Sequence, residues 1–298
     1  MDISIILSAI FVLYFFAFLG LIIGLETRRR RLRNERLPVR FELLRSPGES
    51  LRRQVASIDE VLAFHIIGAS IVPVIIAVLV LQGIAQFELQ ISEVFKLGSA
   101  GVAFVVGLLA SVWWVNRILR KRRNFQLGYL GERAVGESLQ SLISEGYRVF
   151  HDIPASCNGR TFNLDHVVVG PTGLFLIETK ARRKGLARPG YKEHEVTYDG
   201  AQLIWPRYED RSDLQQALRE AIWLTKWVET MLGLAIAAKP ILALPGWYVK
   251  ATARGQVNVV NHKGLVSAIK GRGQVELSPE QIDLISRQLD AICRDVTD

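Results

Sequence analysis

Three long apolar runs fill most of the first third of the chain and dominate its hydrophobic pattern. They span residues 3–25, 61–87 and about 94–115. About 20 apolar residues are enough to cross a bilayer as a helix. The pattern therefore predicts three transmembrane helices, the first within residues 1–25 and the other two as a hairpin within residues 58–116.

Positive charge is concentrated on one side of these runs. Ten arginines lie in residues 26–57 and five arginines or lysines in 117–123, whereas the loop between the second and third runs has two glutamates and one lysine. Arginine-rich loops stay cytoplasmic. We therefore predict a bacterial inner-membrane protein with its N-terminus outside and with the loop 26–57 and the juxtamembrane linker 117–125 inside. Their position favours anionic lipid of the bilayer over nucleic acid as the partner of these arginines.

From residue 126 onward the pattern changes to short segments typical of a globular α/β domain, which we predict at 126–298 in the cytoplasm. Helical spacing covers 126–145 and 213–232, and a serine cap followed by proline at 278–279 opens a final helix. The predicted core-facing stripes are Glu132, Val135, Leu139 and Leu142 in one helix, and Leu214, Leu218, Ile222 and Thr225 in the other. The strand-like segments lie at 147–153, on both sides of the 170–173 cluster, and at 241–249 and 257–260.

Two of these strands form a predicted β-hairpin around Gly170-Pro171-Thr172-Gly173. The flanks are rich in Val, Ile, Leu and Phe, and Gly and Pro mark the turn. Counting outward from the turn places Asp165 opposite Glu178 and Asn163 opposite Lys180. Both faces of the hairpin are otherwise apolar, which is typical of strands that are covered on both sides.

Two carboxylates directly opposed inside an apolar hairpin repel each other and need compensation. A divalent cation would supply it, and oxygen ligands of this kind suit Mg²⁺ or Mn²⁺. Lys180 projects from the same face as Glu178 and could hold a water or a phosphate beside the metal. The competing interpretation is that both acids are solvated on an exposed strand face. Glu132 is either an acid aimed at a metal-bound water or a helix-start glutamate favoured by the helix dipole.

The overall charge is consistent with an acidic partner. The chain has 298 residues, a formal net charge of +8 and a pI near 9.7. A basic run, Arg182-Arg183-Lys184 with Arg188 and Lys192, follows Lys180 and suits either phosphate contacts or a plain solvated loop. The two cysteines have neither a disulfide pattern nor a zinc-ligand spacing.

Four short motifs within residues 126–250 resemble the nuclease-related domain, NERD, a branch of the PD-(D/E)xK nuclease superfamily. They are Gly131-Glu132-Arg133, Phe150-His151-Asp152-Ile153, the segment Asn163 to Gly170, and Ile177-Glu178-Thr179-Lys180. The resemblance implies a restriction-endonuclease-like core, a mixed central sheet flanked by helices.

The same resemblance assigns roles to the site residues. Asp165 and Glu178 would bind Mg²⁺ or Mn²⁺, Lys180 would orient or activate the attacking water, and Glu132 would complete the site. A glutamine on the following helix recurs in such nucleases. Of the adjacent Gln215 and Gln216, Gln216 is the better match. Ser212-Asp213 stands where the family often has Asn-Pro ahead of that glutamine.

We therefore expect a membrane-anchored, metal-dependent nuclease that hydrolyses phosphodiester bonds of DNA or RNA on the cytoplasmic side. Two other functions remain open. One is an inactive nuclease-fold module that binds nucleic acid or a nucleotide. The other is a membrane scaffold that only docks partners. The nuclease function requires the intact set of acids and lysine, whereas the scaffold would show no metal dependence.

Overall fold

The computed structural model describes residues 17, 18, 20, 21, 24, 42–86, 92–271, 274 and 276–296. Residues 44–294 form one compact unit, and residues 1–43 with 295–298 form a second. Two short strands, β1 (Glu42–Leu44) and β11 (Arg294–Val296), pair in a two-stranded sheet. The site described below lies within the larger unit.

Two helices in the described part of the chain are long and apolar enough to cross a membrane, where the sequence predicted three. They are α1 (Glu49–Gln86) and α2 (Glu93–Leu139). Their apolar stretches keep many large side chains exposed, among them Leu79, Val105 and Trp113. The predicted first helix, residues 1–25, lies outside the described residues except for five isolated positions.

Helix α2 runs without a break through the predicted juxtamembrane linker. Residues 117–125 are helical and lead directly into the segment that carries Glu132. At 1.5 Å per residue, Glu132 lies about 25 Å beyond the apolar stretch that ends near residue 115. Arg122 donates to both carboxylate oxygens of Asp59 and so ties α2 to α1 below their apolar stretches. The linker is therefore part of a continuous helix.

A five-stranded mixed sheet forms the centre of the domain, in the order β10-β8-β4-β3-β2. The three strands of the predicted hairpin region are antiparallel, and β8 and β10 join them in parallel. A second sheet has the order β7-β6-β5-β9. The strands are β2 (Arg148–Cys157), β3 (Arg160–Gly170), β4 (Gly173–Thr179), β5 (Glu195–Tyr198), β6 (Leu203–Ile204), β7 (Glu209–Asp210), β8 (Ala238–Ala243), β9 (Tyr248–Ala251) and β10 (Asn258–Val260).

Helices cover both faces of the five-stranded sheet, which confirms the predicted mixed α/β class. These helices are the end of α2 with the 3-10 turn Gln140–Glu145, α3 (Ser212–Leu232), α4 (Leu265–Lys270, after a 3-10 turn at His262–Gly264) and α5 (Pro279–Ile292). On one face Val135, Leu139 and Leu142 pack with Phe175 and Ile177. On the other, the residues of α3 and α5 pack on Val167, Leu174 and Leu176. The hairpin strands are therefore apolar on both faces because both faces are buried.

The core-facing stripe of α3 differs from the predicted one. Ile222 is 47% exposed, whereas Ala217 and Ala221 are buried. The small side chains of the alanines let the helix approach the sheet closely. The alanine face therefore packs on the sheet, although it is less hydrophobic than the predicted face with Ile222. The full buried set of apolar residues is Leu214, Ala217, Ala221, Leu224 and Val228. Helix α5 begins as predicted, with a capping box between Ser278 and Gln281.

Candidate active site

The hairpin has the predicted register. Gly170 pairs with Gly173, Val169 with Leu174, and the ladder continues to His166 and Ile177. The connecting loop is therefore only Pro171 and Thr172. One further step of the same register brings Asp165 opposite Glu178. The backbone amide of Thr179 donates to Asp165 Oδ2 at 2.7 Å, which fixes the Asp165 carboxylate at the end of β4.

A local break in the neighbouring strand β2 adds a further acid, Asp152, to the site. Asp152 has a φ of 51°, and the β2–β3 ladder skips it although its neighbours pair normally. Its carboxylate is 2% exposed and accepts from the Ser50 amide at 3.0 Å and from Asn163 at 2.8 Å. A positive φ is costly for a residue other than glycine and is typical of sites that aim a side chain. Sequence reasoning did not include Asp152 in the site, since nothing in the pattern marks the break.

Lys180 connects the strand to α3. Its Nζ lies 2.6 Å from Glu178 Oε1 and donates to Gln216 Oε1 at 3.0 Å. Gln216 Nε2 in turn donates to Glu220 Oε1 at 2.9 Å. Gln216 is therefore the helix glutamine that contacts the lysine, and Glu220 is a site residue that sequence reasoning missed. Helical spacing could have predicted Glu220, because an acid four residues after Gln216 lies on the same helix face.

Glu132 of α2 approaches Glu178 and Lys180 from the opposite face of the sheet. It is 7% exposed, and burial, followed by the charges of Asp152 and Glu178, raises its pKa from 4.5 to about 8. The neighbouring Gly131 makes this approach possible, since a Cβ there would lie 2.5 Å from the Cβ of Ala181. Glu132 thus faces the other acids instead of serving only as a solvated helix-start residue.

The site holds more negative than positive groups. Burial, then Glu178 and Glu132, raise the pKa of Asp165 well above its ordinary value. Burial and Glu178 raise the pKa of Glu220 to about 9. Asp165 and Glu220 therefore both lie close enough to Glu178 for its charge to raise their pKa values.

Lys180 supplies positive charge here. Burial alone would lower its pKa, but the adjacent Glu178 carboxylate outweighs that effect and raises it. Burial often depresses the pKa of a lysine, but the contact with Glu178 keeps Lys180 a cation. It therefore acts as a charge and a hydrogen-bond donor, and it has no free lone pair with which to take a proton.

The residues fit a hard divalent cation. Oε2 of Glu178 is buried without a hydrogen-bond partner, and it lies beside the crowded Asp165 carboxylate. Within the described residues, no three His, Cys, Asp or Glu side chains meet as a complete metal-binding group. Two carboxylates suit Mg²⁺ or Mn²⁺, which usually keep waters and substrate phosphate oxygens as their remaining ligands.

The basic run after Lys180 begins with a structural residue. Arg182 pairs with Asp213 at 2.5 Å and stacks on Trp205 at 5.2 Å, which fastens the loop to the first turn of α3. Arg183 donates to Asn124 and to the Arg123 carbonyl oxygen, so it binds the loop to α2. These two arginines are therefore already engaged within the chain.

A family model matches the segment that holds the candidate site. Residues 127–245 match the model of the nuclease-related domain, NERD. They contain the acids, the lysine and the glutamine of the site: Glu132, Asp152, Asp165, Glu178, Lys180, Gln216 and Glu220. An uncharacterized protein of Bacillus anthracis is 32% identical over 78 residues, which are 26% of this chain and 37% of that protein. The chain therefore spans little more than a third of the length of this relative. A solved structure, protein VC1899 from Vibrio cholerae, aligns over 85% of this chain and 58% of its own at 12% identity with a TM-score of 0.22. The segment of this chain that holds the candidate site is thus similar to the nuclease-related domain.

Proposed function

We propose that this chain is a membrane-anchored, metal-dependent nuclease with a PD-(D/E)xK-type core. The observation that carries the proposal is the convergence of Asp165, Glu178, Lys180 and Glu132 from two strands and a helix. The buried, unpartnered oxygen of Glu178 supports a cation ligand at this point. The match of residues 127–245 to the nuclease-related domain supports the reaction class.

Asp165 and Glu178 would hold Mg²⁺ or Mn²⁺, which would polarise a phosphoryl oxygen and lower the pKa of a bound water. The remaining roles belong to the protein's own groups. Lys180, held as a cation, donates to the attacking water or to a phosphate oxygen and offsets the negative charge that develops there. Gln216 orients Lys180, since its side-chain oxygen accepts one of the ammonium protons at 3.0 Å.

The proposed substrate is DNA or RNA, and the proposed location is the cytoplasmic face of a bacterial inner membrane, with the N-terminus outside. The continuity of α2 supports an arrangement in which the site stands a fixed distance from the bilayer, about 25 Å beyond the apolar stretch. The cations of residues 117–123 lie on the intervening helix, where anionic lipid would meet them.

Purified full-length chain in detergent micelles tests the activity directly. Single- and double-stranded DNA and RNA are incubated with Mg²⁺, with Mn²⁺ or with EDTA, and products are resolved on gels. Wild type should cleave at least one substrate with metal and none with EDTA. Asp165→Asn should lose that cleavage. Asp283→Asn is the matched control, because Asp283 is an exposed acid that pairs with Arg287 on the far helix α5.

Two results would reject the nuclease function. Equal cleavage by wild type and Asp165→Asn would mean that the nicking comes from a contaminant. No cleavage of any substrate, with metal-independent binding of nucleic acid or nucleotide, would favour the inactive binding module.

A further inference from the structure

One face of α3 continues from the candidate active site to a pair of tryptophans. Gln216, Glu220, Trp223 and Trp227 follow one another at spacings of four, three and four residues, which places them on a single helical stripe. At 1.5 Å per residue, Trp223 lies about 10 Å and Trp227 about 16 Å along the helix from Gln216. The stripe flanks the buried face of α3: Glu220 is buried, whereas Gln216, Trp223 and Trp227 are partly exposed.

The two tryptophans are held in a defined orientation. Their rings are nearly parallel, with 6.2 Å between centroids and 16° between planes. The indole N–H of Trp223 donates to the Ser156 carbonyl oxygen at 3.0 Å, and Phe162 meets the same ring edge-on at 5.6 Å. An open groove of about 530 Å³ runs beside them, between α3 and the ends of β2 and β3. The rings are thus presented on a fixed scaffold next to free space.

Cations border this aromatic stripe on its solvent side. Arg219 and Lys226 are both exposed and lie seven residues apart, which is two helical turns along the same line. Lys226 also lines the groove itself. The exposed acid Glu229 lies farther round the helix, away from the stripe. Aromatic faces that alternate with cations are the features that bind single strands, whose bases stack while their phosphates meet positive charge.

We propose that Trp223, Trp227 and Lys226 form a stacking platform for single-stranded nucleic acid that leads the strand into the active site. The inference rests on the proposed nuclease function and specifies its substrate class. A duplex is disfavoured at the platform because its base faces are already stacked and paired. The strand would lie along α3, its bases on the tryptophans and its backbone beside Lys226 and Arg219.

Binding without cleavage separates this inference from the activity. Full-length chain in detergent micelles, with EDTA present, is titrated with labelled oligo-dT, oligo-U and a DNA duplex at several salt concentrations. The variants are Trp227→Leu, which stays apolar but removes the ring, Trp227→Phe, which keeps a ring, and Lys226→Ala. Tyr248→Ala on β9 is the control, since Tyr248 is an exposed aromatic residue of the other sheet.

Wild type should bind single strands more tightly than duplex. Trp227→Leu should weaken single-strand binding about tenfold, and Trp227→Phe, which keeps a ring against the core, should recover most of the loss. Lys226→Ala should lower the salt dependence by about one released ion. The platform is refuted if Trp227→Leu binds oligo-dT and oligo-U like wild type, or if Tyr248→Ala loses as much. Binding with these properties but without cleavage in Mn²⁺ would retain the platform and reject the nuclease.

Discussion

The crowding of acids around Lys180 should make the metal-free protein less stable as pH rises, and Glu132 is the residue with which to test this. Its pKa is raised from 4.5 to about 8 in the folded chain. Between these two values the folded state binds more protons than the unfolded state, so unfolding becomes easier as pH increases. The stabilisation is complete below pH 4.5 and lost as pH passes 8. Glu132→Gln should remove the part of this dependence that Glu132 contributes, because glutamine resembles the protonated acid, whereas Asp165 and Glu220 keep their parts.

The magnitude follows from the two pKa values. Between pH 5 and pH 9 the linkage relation gives a loss of at most about 4 kcal/mol from this one group. For a chain of this size 1 kcal/mol shifts the melting temperature by about 2–4 °C, so wild type should lose up to about 8–16 °C more than the variant.

Thermal unfolding of full-length chain in detergent micelles, with EDTA and at pH 5, 7 and 9, measures the effect. Glu137→Gln is the matched control, since Glu137 is an exposed glutamate on the same helix that pairs with Arg133. It should follow wild type. Excess Mn²⁺ should flatten the wild-type profile, because a bound cation stabilises the ionised carboxylates. Parallel profiles for wild type and Glu132→Gln in EDTA would refute the proposed coupling of Glu132 to the site.

Four further results are expected. Asp165→Asn should lose the Mn²⁺-dependent rise in melting temperature yet be no less stable than wild type in EDTA, and identical responses to Mn²⁺ would contradict a shared metal. Lys180→Ala should keep the Mn²⁺ response but lose at least tenfold in cleavage rate, and an unchanged rate would remove the lysine from the mechanism. Gly131→Ala should destabilise the fold by about 1–3 kcal/mol in denaturant titrations, since the new Cβ would lie 2.5 Å from that of Ala181. A reporter fused after Asp298 should be active only in the cytoplasm, and activity outside would reverse the proposed topology.

Much of the candidate site could be predicted from local pattern. The strand period of two and the glycine–proline turn determine the hairpin register, and the register alone sets Asp165 opposite Glu178. Helical spacing likewise placed Glu132 on the same stripe as Val135 and Leu139, and all three are buried. These predictions hold because neighbours along a strand or helix are determined by the geometry of that element.

The partners of those residues depended on packing between elements. Lys180 contacts Gln216, which in turn contacts Glu220. These contacts form because the small residues Ala217 and Ala221 let α3 pack close to the sheet. The sequence had predicted that the face of α3 with Ile222 would pack there. Asp152 turns toward Glu132 because β2 adopts a positive φ at that residue, which no spacing in the chain reveals.

The relation of the apolar helices to the domain also needed the structure. A charge run at 117–125 is equally compatible with a flexible linker and with a helix, and the structure has a helix that continues into the domain. The sequence by itself determined which residues share a strand pair or a helix face, since those relations depend on backbone period alone. Only the tertiary structure decided which faces meet, because that depends on how closely two backbones can approach, and small residues such as Gly131, Ala217 and Ala221 set that distance.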